Sequence, residues 1–351
     1  MRYADFLAFP GLQLNVIPGM PPTLRMPPEN WKPNAKILGL TMAPPPIMPL
    51  GDTMEKVHSV YLQYEEAFDL NPNVVMGNSG FQKKVFKALN DAHDKRTIII
   101  SGLQGVPKDA TPEALNNLGI QYCGIAYQGN EWLGGGFLRP DLPLTKAGEK
   151  FVRGLFEYGI IPDISHCGHT TARDVLKIAK YVGEPIVASH GGCAELFSAS
   201  GRNLPDDILR GVAETGGIVG IIMVPFILGP HGRSPLGTDD FDLFVFHLLH
   251  AVSMCGIDNV CIGSDGYYSD IPQDEWRTHY NFLVKGLNGE KMGTRFPDQI
   301  IMPENLNTPD KLLKTTSLLK MKLPFSGGLV DRANKVMGRN LERFLRSEVL
   351  C

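Results

Sequence analysis

From Ile37 onward, short apolar, β-branched runs alternate with helical stretches, and this alternation restricts the chain to an α/β architecture. The clearest strand is Arg96–Gly102 (RTIIISG), which has no polar alternate face and suits a parallel strand buried on both sides. Further strands are predicted at Ile37–Met42, Asn73–Met76, Gln121–Ala126, Ile160–Ser165, Pro185–Ser189, Ile218–Val224 and Asn259–Ile262. The helices between them are expected at Thr53–Leu70, Gly80–Asp94, Pro112–Leu118, Thr145–Tyr158, Thr171–Tyr181, Pro205–Thr215 and Phe241–Met254. Two more, Asp310–Leu319 and Asp331–Arg346, close the chain. Roughly eight β/α repeats joined by right-handed crossovers can close into a parallel (β/α)8 TIM barrel. An open doubly wound sheet is the competing arrangement, but no Gly-rich phosphate loop follows the early strands. A single barrel domain accommodates all 351 residues. Residues 1–35, rich in Pro and Gly, are expected to be irregular, with one short strand near Leu12–Val16. The weakly periodic stretch Gly266–Asn307, with Tyr267, Tyr268, Trp276 and Tyr280, is expected to form a lid or excursion over one end.

Charge and cysteine usage exclude several classes of partner. The formal net charge is −3 with no basic stripe, so no nucleic acid partner is expected. No window reaches about 18 consecutive apolar residues, so no membrane span is expected. Met1–Pro10 lacks a long apolar segment and does not read as a secretory leader. The six cysteines contain no C-x-x-C pair and suggest free thiols, so a cytoplasmic location is expected.

In a barrel of this kind the working residues sit just past the C-terminal ends of the strands. Those positions hold Gln104, Tyr127, His166, His190 and Asp265. Two imidazoles and a carboxylate from separate strands match the ligands a catalytic zinc prefers. A single strand-end His is more often structural, but here two consecutive units each supply one, each preceded by Ser. Spacing alone leaves a metal or catalytic role and a structural role both open. Arg202, in SGRNLPDD, could clamp a carboxylate with two hydrogen bonds or lie exposed beside Asp206 and Asp207. His169 and His231 are weaker candidates. His247 and His250 read as outer-face helix residues, His58, His93 and His279 as surface ones, and Cys167 and Cys193 as bystanders.

The stretch IIPDISHCGHTTARDVLKIAKYVGEPIVASHGGCAELFSASGRNLPDDILRGVAETGGIVGI resembles the membrane (renal) dipeptidase family, peptidase family M19. NVCIGSD and the closing VMGRNLERF resemble it too. The likeness runs from about Ile37 to Phe344 and is most specific between Gly159 and Gly220. It implies a barrel of the metal-dependent hydrolase type that carries two zinc ions and cleaves dipeptides, dehydropeptides and related small amides. It also implies a homodimer. By this resemblance His166 and His190 occupy the two histidine-ligand positions of one zinc. Arg202 matches the arginine that holds the substrate carboxylate, and Asp265 the aspartate near the catalytic water, a natural general base.

The chain departs from the family where the metals are held. The family's D-G-H-x-D segment, whose His and Asp bind the other zinc, is Pro10-Gly11-Leu12-Gln13-Leu14 here. The metal-bridging glutamate of the G-[IV]-E-G context is Gln104, a neutral and poorer ligand. The substrate-polarising His is Tyr127, which can still donate to an oxyanion. These losses lead to an expectation of at most one zinc or other divalent ion, held by His166 and His190 with Asp265 or Gln104, or of none. Three readings follow. The first is a dipeptidase-like metallohydrolase for a small carboxylate-bearing amide, in which Arg202, Gln104 and Tyr127 contact substrate and Asp265 and Tyr127 act in catalysis. The second is a metal-independent lyase or isomerase on a small metabolite. The third is a non-catalytic small-molecule-binding barrel.

Overall fold

In the computed structural model, residues 3–9, 32, 35–42, 53–76, 81–91, 93–229, 240–267, 314–317, 319 and 329–348 are described. The strands are β1 (Ala4–Phe9), β2 (Ile37–Met42), β3 (Val74–Met76), β4 (Thr97–Leu103), β5 (Tyr122–Gly124), β6 (Ile161–Asp163), β7 (Ala188–Gly191), β8 (Val219–Ile221), β9 (Val260–Ile262) and β10 (Gly266–Tyr267). Every residue of β3 to β9 is buried, so none of these strands alternates polar with apolar, and all pairings between strands are parallel. The helices are α1 (Met54–Asp69), α2 (Phe81–Asn90), α3 (Pro112–Asn117), α4 (Lys146–Glu157), α5 (His169–Val182), α6 (Asp206–Glu214), α7 (Pro225–Leu228) and α8 (Asp240–Cys255). Local chemistry sets several of their ends. The hydroxyls of Thr111 and Thr145 accept from Ala114 N and Gly148 N at the starts of α3 and α4, and Gly183, at φ +80°, ends α5 in the left-handed conformation.

One sheet runs β10-β1-β2-β4-β5-β6, with β3 sharing an edge of β4 alongside β5; the other runs β7-β8-β9. A parallel bridge between Asp163 and Val187 links β6 to the segment entering β7. On the opposite flank the chain passes directly from β9 to β10: Gly263 N donates to Ile221 O at 3.1 Å, and Gly266 pairs with Ala8. The fold is a TIM-barrel-like α/β fold with parallel sheets.

Two apolar layers hold it together. The inner one draws Ala4, Ile37, Ile98, Ile100, Tyr122, Ile161, Val187, Ile218 and Cys261 from around the strands. Leu341, Phe344 and Leu345 of the C-terminal helix Asn340–Glu348 pack into the same cluster, at the N-terminal ends of the strands. The opposite mouth, at the C-terminal ends, is left to the site residues. Asn340 anchors the helix by donating to Ile257 O at 2.7 Å and Val260 O at 2.8 Å. The fully buried Tyr122 ring lies against Gly102, where a Cβ would fall 2.0 Å from it, so only glycine fits there.

β1 falls in the stretch read as irregular. It is a strand because β2, the next strand in the chain, and β10, from far along it, pair with it on either side. The strand expected at 12–16 lies outside the described residues. So does the expected lid, apart from Gly266 and Tyr267, which form β10. Of the helix expected over 310–319, residues 314–317 and 319 are described and are helical.

Candidate active site

The two expected imidazoles meet. His190 sits in β7 and His166 just past β6; both are buried, and their Nε2 atoms lie 2.9 Å apart. Gln104, just past β4, places its side-chain nitrogen 3.2 Å from His190 Nε2. Burial, then the positive charge of Arg202, holds both histidines well below the ordinary imidazole range; for His166 the neighbouring His190 adds to the effect. Both rings are therefore neutral at pH 7, the state in which imidazole can act as a ligand or a base.

Behind them lies a buried polar cluster. Asp163 Oδ1 accepts from Ser165 N and Ser189 N, each at 3.0 Å, and from the Ser165 hydroxyl. The Ser189 hydroxyl bonds to Oδ2 and stands 2.8 Å from His190 Nδ1. Burial raises the Asp163 carboxyl above its usual range, and these four hydrogen bonds oppose that shift.

Arg202 is buried, and its guanidinium lies 5.8 Å from the centre of the Phe137 ring. Nη2 donates to His190 O at 3.2 Å, whereas Nη1 has no partner among the described residues. Burial lowers the guanidinium below its usual range, while the charges of Asp265, Tyr127 and Asp163 oppose this. Tyr127 stacks on His166 with ring centres 4.1 Å apart. Burial first, then the Asp265 carboxylate, raises the Tyr127 phenol above its usual range, so it stays protonated as a donor. Asp265 follows β9 with φ 56°, in the left-handed region, where Asp is better tolerated than most residues. Its charge acts on Tyr127 and Arg202. All six expected residues thus fall at the strand-end mouth, with Arg202 in the buried arrangement rather than the exposed one.

Sequence reading missed three supporting groups. Asp163 and Ser189 were hidden inside strands, although the Ser before each His was a usable signal. Glu131 Oε1 accepts from the amides of Tyr127, Gln128 and Gly129 at 2.7, 2.8 and 3.3 Å and so fixes the turn that presents Tyr127. His247, expected on the outer face of its helix, is instead buried: its Nδ1 accepts from Cys193 N and its Nε2 pairs with Leu228 O, each at 2.8 Å. His250 is half-buried and pairs with Asp206, whereas His58 and His93 are exposed. His169, also half-buried, pairs with Asn203 O at 3.0 Å. Cys167 and Cys193 are buried, and burial pushes both thiols up, which suppresses the reactive thiolate. His231 and His279 lie outside the described residues.

In a TIM-barrel-like fold active sites form at the C-terminal ends of the strands, and two neutral histidines, a buried arginine and a carboxylate fall there in this protein. The membrane dipeptidase (peptidase family M19) model matches residues 83–287, more than half of the chain, and the protein belongs to that family. Among curated proteins, two uncharacterized dipeptidases of Schizosaccharomyces pombe are 29% identical over 134 residues and 27% identical over 162 residues. These matches cover 38% and 44% of this chain but only 30% and 38% of the relatives' own lengths. Among solved structures, an amidohydrolase from Pseudomonas aeruginosa superposes with a TM-score of 0.70 at 20% identity, covering 99% of this chain and 96% of that one. A metallopeptidase from Rhodobacter sphaeroides, liganded with a phosphinate mimic of the dipeptide L-Ala-D-Ala, gives a TM-score of 0.62 at 17% identity over 89% and 86% of the two chains. At these identities the superpositions establish the fold alone. No helix among the described residues is long and apolar enough to cross a membrane.

Proposed function

We propose that this protein is a dipeptidase-like hydrolase acting on a small amide or dipeptide-like molecule with a free carboxylate, and that it uses at most one metal ion. The observation that carries the reading is Arg202: a buried guanidinium with one arm spent on His190 O and the other, Nη1, unpartnered among the described residues. A buried charged donor left unmatched is costly, and a substrate carboxylate would satisfy it.

The donor set does not suit two ions. Among the described residues no group of three or more His, Cys, Asp or Glu side chains is arranged to hold a metal, and the segment Pro10–Leu14 offers no His or Asp. A single ion fits better. The Nε2 atoms of His166 and His190 point at one another, with the Gln104 amide beside them and the other nitrogen of His190 held by Ser189. Such an ion, when bound, supplies Lewis acidity for the scissile carbonyl and makes a water more acidic. Arg202 would hold the carboxylate and set the register of the amide. Tyr127, protonated and stacked on His166, would donate to the developing oxyanion. Asp265, next to Tyr127 and Arg202, would take the proton of the attacking water.

One observation favours a second reading, a small-molecule-binding barrel without metal. The 2.9 Å between the imidazoles is a hydrogen-bond distance. Two nitrogens on a tetrahedral zinc stand about 3.3 Å apart. Hydrolysis of a panel of dipeptides and N-acyl amino acids, each also supplied as its C-terminal amide, separates the readings. Turnover of the free acids alone, abolished by chelation, supports the hydrolase. Equal turnover of acids and amides would overturn it, and full activity in metal-free protein would remove the ion from it. Thermal stabilisation by ligands with no turnover would favour the binding barrel.

A further inference from the structure

We infer that Asp163 and Ser189 are positioning residues that lock His190 in the tautomer protonated at Nδ1, leaving its Nε2 lone pair as the point on which the site converges.

The direction of each hydrogen bond follows from counting protons. Asp163 receives two backbone amides and the Ser165 hydroxyl on Oδ1, and the Ser189 hydroxyl on Oδ2. With Asp163 ionised, the state its four donors favour, the single hydroxyl proton of each serine goes to the carboxylate, and neither is left for the 3.1 Å contact between the two serine oxygens. Ser189 Oγ then has only lone pairs to offer His190 Nδ1 at 2.8 Å, so Nδ1 must donate. Ser165 behaves consistently, since its Oγ accepts from His190 N at 3.1 Å. With Nδ1 protonated, neutral His190 presents a bare Nε2. That single lone pair faces His166 Nε2 at 2.9 Å, with the Gln104 side-chain nitrogen 3.2 Å away. Every bond from His166 through His190 and Ser189 to Asp163 therefore points the same way and ends on an acid. The reverse polarity needs a protonated Asp163, which would give up the charge that its four donors stabilise.

The remaining nitrogen supports this polarity. His166 Nδ1 is buried with no partner among the described residues. If His166 donates through Nε2, Nδ1 is an unpaired acceptor, which is tolerated more often than an unpaired buried N–H. The backbone that carries the relay has no room to drift. A Cβ at Gly220 in β8 or at Gly263 just past β9 would fall 2.0 or 1.9 Å from Ser189 O, so both backbones press directly on it.

The two imidazoles are consequently unequal. His190 is preset to bind an ion through Nε2, whereas His166 must first move its proton from Nε2 to Nδ1. This matters for catalysis only if the functional reading above holds, but the tautomer itself is a property of the metal-free protein.

The test is long-range 1H–15N correlation of histidine-labelled, metal-free protein near pH 7.5, with signals assigned through His166→Gln and His190→Gln. The expected spectrum shows neutral His190 with its proton on Nδ1 and neutral His166 with its proton on Nε2. Ser189→Ala should release His190 to a tautomer mixture and weaken zinc binding about 10- to 100-fold. A His190 protonated at Nε2 in the unsubstituted protein overturns the inference. So does a folded Ser189→Ala protein with an unchanged His190 spectrum. If that variant does not fold, the unsubstituted spectrum decides alone. If zinc does not bind while the expected tautomers are seen, the metal-dependent reading fails and the lock stands.

Discussion

His247 makes acid stability a quantitative test of the buried architecture. Its ring ties the loop after His190 to α7, accepting from Cys193 N and bonding to Leu228 O. Burial, outweighing the Leu228 hydrogen bond, lowers its pKa from 6.5 to about 4. The folded protein therefore keeps His247 neutral between those values, while the unfolded chain protonates it. The unfolded state binds more protons in that window, so stability is complete above about pH 6.5 and declines as the pH falls toward about 4. A gap of about 2.5 pH units corresponds to roughly 3 kcal/mol. Urea unfolding at pH 7 and pH 4.5, on the parent protein and on His247→Gln, isolates the contribution, because the other titrating groups cancel in the double difference. The substitution should cost about 1–3 kcal/mol at pH 7 through lost hydrogen bonds. It should also shrink the loss between the two pH values by about 2–3 kcal/mol. An identical pH dependence in both proteins would refute the reasoning.

Three further outcomes are expected. Gly263→Ala, which forces a Cβ to 1.9 Å from Ser189 O, should destabilise by about 3 kcal/mol or more in urea unfolding, and a neutral result would mean that β7 and β9 are not so closely apposed. Asn340→Ala should cost about 2–3 kcal/mol, because the carbonyls of Ile257 and Val260 lose their shared donor; a cost below 0.5 kcal/mol would show that the C-terminal helix is held by apolar packing alone. Tyr127→Phe should lower kcat about 10²- to 10³-fold with little change in KM on whichever amide substrate is turned over, and an effect confined to KM would remove Tyr127 from oxyanion stabilisation.

The parts of the fold legible in the sequence were those fixed by local pattern. RTIIISG announces a doubly buried strand by its composition, and Thr145 announces a helix start by its capping hydroxyl. The placement of His166, His190, Gln104, Tyr127 and Asp265 was legible because a parallel barrel-like fold delivers strand-end residues to one mouth. Strand β1 was not legible, since its pairing with β10 joins distant parts of the chain. His247 was misplaced for a similar reason. Its helix, DFDLFVFHLLHAVSMC, is apolar on most sides, so periodicity could not say which face is covered, and its partners Cys193 and Leu228 come from other segments. The relay through Asp163 and Ser189 required side-chain directions that strand spacing does not encode.

Zinc titration by calorimetry, on metal-free protein and on His190→Ala, bears most directly on the central claim. A site built from two neutral imidazoles and an amide should take up one ion per chain in the parent protein and none in the variant. Two ions per chain, or an unchanged ion in His190→Ala, would show that the metal is held elsewhere and that the convergence of His166 and His190 is not the working centre.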